Sequence, residues 1–137
     1  MIRIVTESMS DFTQEEAKAA DLIVMPLPIR FGMEEYWDDG VSLTQDDFYA
    51  RLRVAKELPK TSQVPVEHYR KCFNRLLENP EDEVLVITGS SKLSGCYQSA
   101  CIAREACHDP ARVTVLDSLN ATCAEYMLVD QALRYRR

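Results

Sequence analysis

Apolar positions recur along the chain with two periods, and their alternation outlines a succession of strands and helices. Ile2-Arg3-Ile4-Val5-Thr6 reads as a buried strand, ended by the polar turn Glu7-Ser8-Met9-Ser10-Asp11. Thr13-Gln14-Glu15-Glu16 has capping-box spacing and predicts a short helix to about Ala20. Leu22 to Leu27 is the next apolar run, and Pro26 and Pro28 mark it as an edge or irregular strand, since proline cannot donate to a ladder. Ile29, Phe31 and Tyr36 flank Gly32-Met33-Glu34 in a hairpin-like arrangement over residues 29–37. Thr44-Gln45-Asp46-Asp47 caps a helix that carries Phe48, Leu52 and Ala55 on one face.

Leu58 to Gln63 reads as an extended connection, and Pro65 suits the first turn of the following helix. Tyr69, Cys72, Phe73, Leu76 and Leu77 give that helix an apolar stripe, and Asn79-Pro80-Glu81-Asp82 ends it. Glu83 to Thr88 is the clearest strand of the chain. A helix follows from about Ser94 to Ala106, then a strand over Arg112 to Leu116 and a last helix from Ala121 to about Tyr135. This order predicts an α/β fold in one domain over residues 1–137: a mainly parallel sheet of about four strands flanked by helices, with the small hairpin near residues 29–37. In such sheets ligands gather beyond the carboxyl ends of the strands. That rule selects Thr6–Ser10, Thr88–Gly95 and Asp117–Ser118, three hydroxyl-bearing loops.

A formal charge of −6 argues against nucleic acid as a partner, because phosphate binding calls for a basic face. The basic cluster Arg134-Tyr135-Arg136-Arg137 reads as a solvated tail. No apolar run approaches the roughly 18 residues of a membrane span, and the chain opens on a strand rather than a signal peptide. The five cysteines form no Cys-x-x-Cys pair, and with His68 and His108 they do not supply zinc-ligand spacing. They read as reduced thiols, mostly on the apolar faces of helices, which predicts a cytoplasmic protein. Asp38, Asp39, Asp46 and Asp47 do not match calcium-loop spacing, so no metal and no cofactor is expected.

The loop from Thr88 to Gly95 carries the most chemistry. A strand that ends in small polar residues at a helix start is a place to hold an anion. The loop is not a P-loop, a dinucleotide fingerprint or a nucleophile elbow. Ser94 reads either as a helix N-cap or as a hydrogen-bonding partner of a carboxylate. Thr61 and Ser62 carry the same two readings, start of the next helix or lining of a shared polar pocket. Cys96 is a small residue in a first helical turn, where a helix N-terminus can lower a thiol pKa. Tyr36 and Trp37 are packing residues or the wall of an apolar ligand site.

Several segments together resemble the bacterial DegV family. They are Arg3-Ile4-Val5-Thr6-Glu7-Ser8-Met9-Ser10-Asp11, Val24 to Gly32, Tyr36 with Asp39-Gly40-Val41, and Leu43-Thr44 with Phe48-Tyr49. Then come Leu58-Pro59-Lys60-Thr61-Ser62-Gln63, Ser90-Ser91-Lys92-Leu93-Ser94-Gly95-Cys96-Tyr97-Gln98-Ser99-Ala100 and Val113 to Ser118. The resemblance implies a DegV-like N-terminal domain without the family's C-terminal domain, and a function in binding a long-chain fatty acid rather than catalysis. Carried over by position, Thr61, Ser62, Ser94 and Gly95 would hold the carboxylate, with Ser8, Ser10, Cys96 and Ser118 around them. It also implies a fatty acid kinase subunit as partner, to which the bound acid is presented.

The chain departs from the family pattern at Glu7 and Met9, where Asp and Thr are usual, and at Cys96, where Thr is usual. Ala124 and Tyr126 replace glycines, and Tyr126 is expected to fill space that relatives leave open. Two other readings stand beside lipid binding: a dimerising structural or regulatory module that uses the surface left by the absent domain, and a small hydrolase using Ser94 or Cys96. A lone domain offers one wall for an acyl chain, so an exposed apolar patch is expected.

Overall fold

The computed structural model describes residues 1–136, so Arg137, the end of the basic tail, lies outside the described residues. Four strands form a parallel sheet: β1 (Ile2–Glu7), β2 (Leu22–Met25), β6 (Glu83–Thr88) and β7 (Val113–Asp117). Their order is β2-β1-β6-β7, so the two apolar strands in the middle are covered on both faces and the proline-flanked β2 is an edge. A second, antiparallel sheet has the order β4-β3-β5, from β3 (Pro28–Phe31), β4 (Glu34–Trp37) and β5 (Lys60–Thr61). The hairpin expected near residues 29–37 is therefore present. The connection expected to be merely extended hides a third strand, since two residues are too few for any periodicity to register.

Five helices complete the fold: α1 (Gln14–Ala19), α2 (Gln45–Val54), α3 (Val66–Leu76), α4 (Cys96–Glu105) and α5 (Cys123–Arg136). Thr13 and Glu16 form the reciprocal capping box, and the Thr44 hydroxyl accepts from the Asp47 N–H at 3.2 Å. Ala55 falls beyond α2, and that helix buries no residue; Phe48 and Leu52 are half-buried. Pro65 precedes α3 instead of opening it, and Arg112 ends a short 3-10 turn ahead of β7.

The alternation of the central strands sorts the core into two layers. Val5, Val84 and Val86 face α3 and α4, packing with Tyr69, Phe73, Leu76, Ala100 and Ala103. Ile4 and Ile87 face the other way, against Ala17 of α1 and Val129 and Leu133 of α5. Cys72, Cys96 and Cys107 are buried, whereas Cys101 is half-buried and Cys123 exposed, so two of the five thiols lie outside the core. Tyr126 packs on the segment that leaves β1 for α1. Its ring stacks on Phe12 with centroids 4.0 Å apart, and its hydroxyl donates to Glu16 at 3.2 Å.

Arg112 ties the end of α3 to the start of β6. Its guanidinium donates to the carbonyls of Leu77, Asn79 and Asp82 at 2.9 to 3.0 Å and to the Asp109 carboxylate at 2.8 Å. The planar fork reaches several acceptors at once, which an ammonium cannot. Both Arg112→Leu and Arg112→Lys are expected to lower stability by about 1–3 kcal/mol, with lysine restoring only a minor part, as measured by urea unfolding. Phe73→Ala removes a fully buried ring from the layer under α3. It is expected to cost about 3–5 kcal/mol in the same measurement.

Candidate functional site

The loops that leave β1, β6 and β7 meet at one end of the parallel sheet. Ser118 N–H donates to Thr88 O at 3.1 Å, Ser90 N–H to Asn120 O at 2.7 Å, and Thr122 N–H to Met9 O at 3.0 Å. The Asp117 carboxylate accepts from the Ser91 and Leu119 N–H groups at 3.1 and 3.0 Å. Leu119 and Thr122 take left-handed backbone conformations, with φ of 55° and 53°, to turn the last loop back onto the others. The three loops selected by strand order thus form one surface.

Within it the serines divide by what they already bond. Ser10, buried, donates to Glu7 O at 2.8 Å, and Ser8 accepts from Leu27 N–H at 3.1 Å. Ser118, buried, accepts from Asn120 N–H and donates to Asn120 O, both at 3.1 Å. These three hold their loops in shape. Ser94 is different: it is half-buried, and its oxygen accepts from Cys96 N–H at 3.2 Å beside the Cys96 thiol, with no partner on another loop among the described residues. Ser94 is not the N-cap, because Gly95 stands between it and the first helical residue, Cys96.

The connector from β5 to α3 runs across the start of α4. Thr61 ends β5, paired with Ile29, and Ser62 N–H donates to Pro28 O at 3.2 Å. The Gln63 side chain lies over Gly95, where an added Cβ would come within 3.1 Å of its carboxamide carbon. Val64 N–H then donates to the Cys96 sulfur at 3.4 Å. The chain segments of Thr61-Ser62 and Ser94-Gly95 are therefore joined through Gln63 and Val64, and Thr61, Ser62 and Gly95 are exposed to solvent. The first turn of α4 holds no acidic residue, whereas α1, α2, α3 and α5 each carry at least one there. Its unpartnered N–H groups face an approach free of negative charge from its own helix.

Of the two readings of Cys96, the small side chain in the first helical turn stands, and the lowered thiol pKa does not. Cys96 is fully buried, and burial pushes its pKa up against the opposing bonds from Ser94 and Val64 N–H. The thiol is a packing group, not an activated nucleophile. His68 stacks near Trp37, with centroids 5.1 Å apart, and His108 is exposed with its N–H on Asn74. Neither histidine bonds Ser94 among the described residues. Asp39 accepts from Val41 N–H, Ser42 N–H and the Ser42 hydroxyl, and Asp47 from the Thr44 hydroxyl, which accounts for these acids as loop and cap groups.

Sequence reasoning missed a pair of acids at the centre of this edge. Glu7 and Glu125 are both completely buried. Gly89 N–H donates to both Glu7 oxygens at 3.0 and 3.2 Å, and the Thr6 hydroxyl donates to Glu125 Oε1 at 3.2 Å. The two carboxyl groups converge on Gly89, where an added Cβ would stand 3.3 Å from Glu7 Oε1 and 3.2 Å from Glu125 Oε2. Burial raises the pKa of each, opposed in Glu7 by the bonds from Glu125 and Gly89 N–H, and Glu125 reaches about 10. A signal was available: Glu125, Val129 and Leu133 recur at four-residue spacing, so the acid lies on the buried stripe of α5.

Around the same edge, Leu93 and Leu119 project from two of the three loops with 71 % and 63 % of their surface exposed. No helix among the described residues is long and apolar enough to cross a membrane.

The fold and sequence have clear counterparts among known proteins. A DegV domain-containing protein of Caldanaerobacter subterraneus is 39 % identical over 97 % of this chain and 46 % of its own length. A solved structure described as a stearic acid-binding protein from Eubacterium ventriosum superimposes with a TM-score of 0.90 at 31 % identity, over 99 % of this chain and 47 % of that one. A DegV family protein from Thermus thermophilus, described by its fatty acid binding, gives a TM-score of 0.87 at 32 % identity, over 98 % and 47 % of the two chains. The chain thus spans about half the length of the relatives it matches. The family model described as "Uncharacterised protein, DegV family" matches residues 1–137, and with sequence, fold and loop signatures in agreement the chain belongs to the DegV family.

Proposed function

We propose that this chain binds the carboxylate of a long-chain fatty acid at the start of α4, with Thr61, Ser62, Ser94 and Gly95 as the head-group residues. The observation that carries the reading is the joining of the β5–α3 connector to the Ser94-Gly95-Cys96 turn through Gln63 and Val64. It brings two hydroxyl-bearing segments to a helix start with no acid in its first turn. Hydroxyl donors and helix N–H groups suit a carboxylate, and hydrogen bonds to an ionised group are the strong ones. The fatty acid binding ascribed to the Eubacterium and Thermus relatives supports the same ligand class.

Head-group bonds give orientation, and the acyl chain gives affinity, at roughly 0.8 kcal/mol per buried methylene. The exposed Leu93 and Leu119 are apolar surface suited to extending that enclosure. In this reading the chain carries its ligand without transforming it and presents it in the cytoplasm to a separate kinase subunit. The high thiol pKa of Cys96 and the lack of a bonded base for Ser94 among the described residues both favour carriage over turnover.

Lipid extraction of the purified chain followed by mass spectrometry is expected to yield long-chain fatty acid, and added oleate to raise the melting temperature. Absence of both would sink the reading. Ser94→Ala is expected to weaken oleate binding by about tenfold or more, as measured by calorimetry, since a bond to a charged group is worth about 1.5–3 kcal/mol. Gly95→Val should weaken it as well, because its side chain would displace Gln63. Ester turnover is expected at the background rate for the parent chain and for Ser94→Ala and Cys96→Ala alike. A rate above background that either substitution abolishes would favour a hydrolase.

A further inference from the structure

The pairing of Glu7 with Glu125 includes none of the head-group residues proposed above. Both side chains are fully buried, and both lean on the same point of backbone. A Cβ at Gly89 would stand 3.3 Å from Glu7 Oε1 and 3.2 Å from Glu125 Oε2. Glu125 Oε2 meets no N–H or O–H donor among the described residues. An ionised carboxylate has no proton to give, so two buried carboxyls this close can bond each other only with a proton on one of them. Two adjoining buried carboxylates would otherwise repel with little solvent to screen them.

We propose that Glu7 and Glu125 hold one proton between them and thereby form a latch that pins the Gly89–Ser94 loop and helix α5 to the carboxyl edge of the sheet, released when that proton leaves. Each half of the latch belongs to a different element. Glu7 ends β1 and holds the loop after β6 through Gly89 N–H, while Glu125 stands in the first turn of α5 and is held by Thr6. The two carboxyls meet at Gly89, where the unpartnered Glu125 Oε2 and Glu7 Oε1 lie against the same α-carbon, and the shared proton closes the circuit between them.

The groups that face the pair reinforce retention of the proton. Asp11, beyond the turn after β1, acts on Glu125 as a like charge. From α3 comes the buried Tyr69 hydroxyl and from α4 the buried Cys96 thiol, both neutral and both held so by burial. Neither Glu7 nor Glu125 enters an ion pair among the described residues. Burial, followed by the bond and charge of Glu7, lifts Glu125 from 4.5 to about 10. Between those values the folded chain binds one proton more than the unfolded chain. The latch therefore contributes fully below the lower value, and its contribution is lost as pH rises through the upper one.

Unfolding equilibria and hydrogen–deuterium exchange of the 89–94 segment, compared at pH 6 and pH 9, test the latch. The folding constant of the parent chain is expected to fall by up to tenfold per pH unit, with protection of the segment falling alongside after correction for intrinsic exchange. Glu125→Gln supplies a neutral amide that donates to Glu7 and has no proton to lose, so its slope should be nearly flat. Glu7→Gln serves in its place if that variant does not fold. Refolding of the parent chain at pH 7.5 in weak buffer should also take up about one proton, by linkage. A parent chain with no slope and no proton uptake, or an amide variant as steep as the parent, would overturn the proposal. These measurements use no lipid, so they stand or fall independently of the fatty-acid reading.

Discussion

Three side chains close on the bare α-carbon of Gly89, and the carboxyl edge of this domain is packed around that convergence. The Met9 sulfur lies 2.5 Å from where a Cβ would stand, and oxygens of Glu7 and Glu125 lie 3.2 to 3.3 Å away. A bare α-carbon lets β6 end between two acids and offer its N–H to one of them without displacing the Met9 sulfur. From that point the loop turns through Ser90, is tied to the β7 loop by Asn120 and Asp117, and delivers Ser94 and Gly95 to the start of α4. Positions several residues away thus inherit their placement from a contact they do not make.

The apolar layers on the two faces of the sheet hold the fold; the acid pair does not. Buried ionisable groups cost desolvation that their mutual bonds seldom exceed, so such a pair contributes register more readily than strength. Its sites here are consistent with that division. Glu7 and Glu125 stand where β1, β6 and α5 converge, whereas Val5, Val86, Tyr69 and Phe73 occupy the layer that excludes water. Glu7 and Met9 fall at this junction, where the acid and a flexible thioether fill the space around Gly89.

Much of the architecture was legible because long elements advertise their period. The stripe from Tyr69 to Leu77 and the run from Glu83 to Thr88 stand in the structure nearly as their spacing predicted. What escaped were features without a period or with a long range. Strand β5 is two residues long, and its pairing with Ile29 and Arg30 depends on a partner thirty residues earlier. The meeting of Glu7 with Glu125 spans most of the chain, and each acid alone looks like an ordinary surface charge. At Cys96 the helix position was visible, and the burial that decides between a packing thiol and an activated one was not. Of the candidate site, the resemblance identified the residue types, and the structure supplied the bridge through Gln63 and Val64.

The two halves of the candidate site are mounted on different frames. Ser94 and Gly95 hang from the large parallel sheet, while Thr61 and Ser62 are fastened to the small antiparallel one through Ile29 and Pro28. The two frames meet where Gln63 covers Gly95 and Val64 N–H reaches the Cys96 sulfur, like the hinge of a caliper. Its opening is set by how the small sheet seats on the large, a quantity governed by residues that touch no ligand. Sequence change in the hairpin between β3 and β4 can therefore retune the grip from a distance, by leverage and not by chemistry.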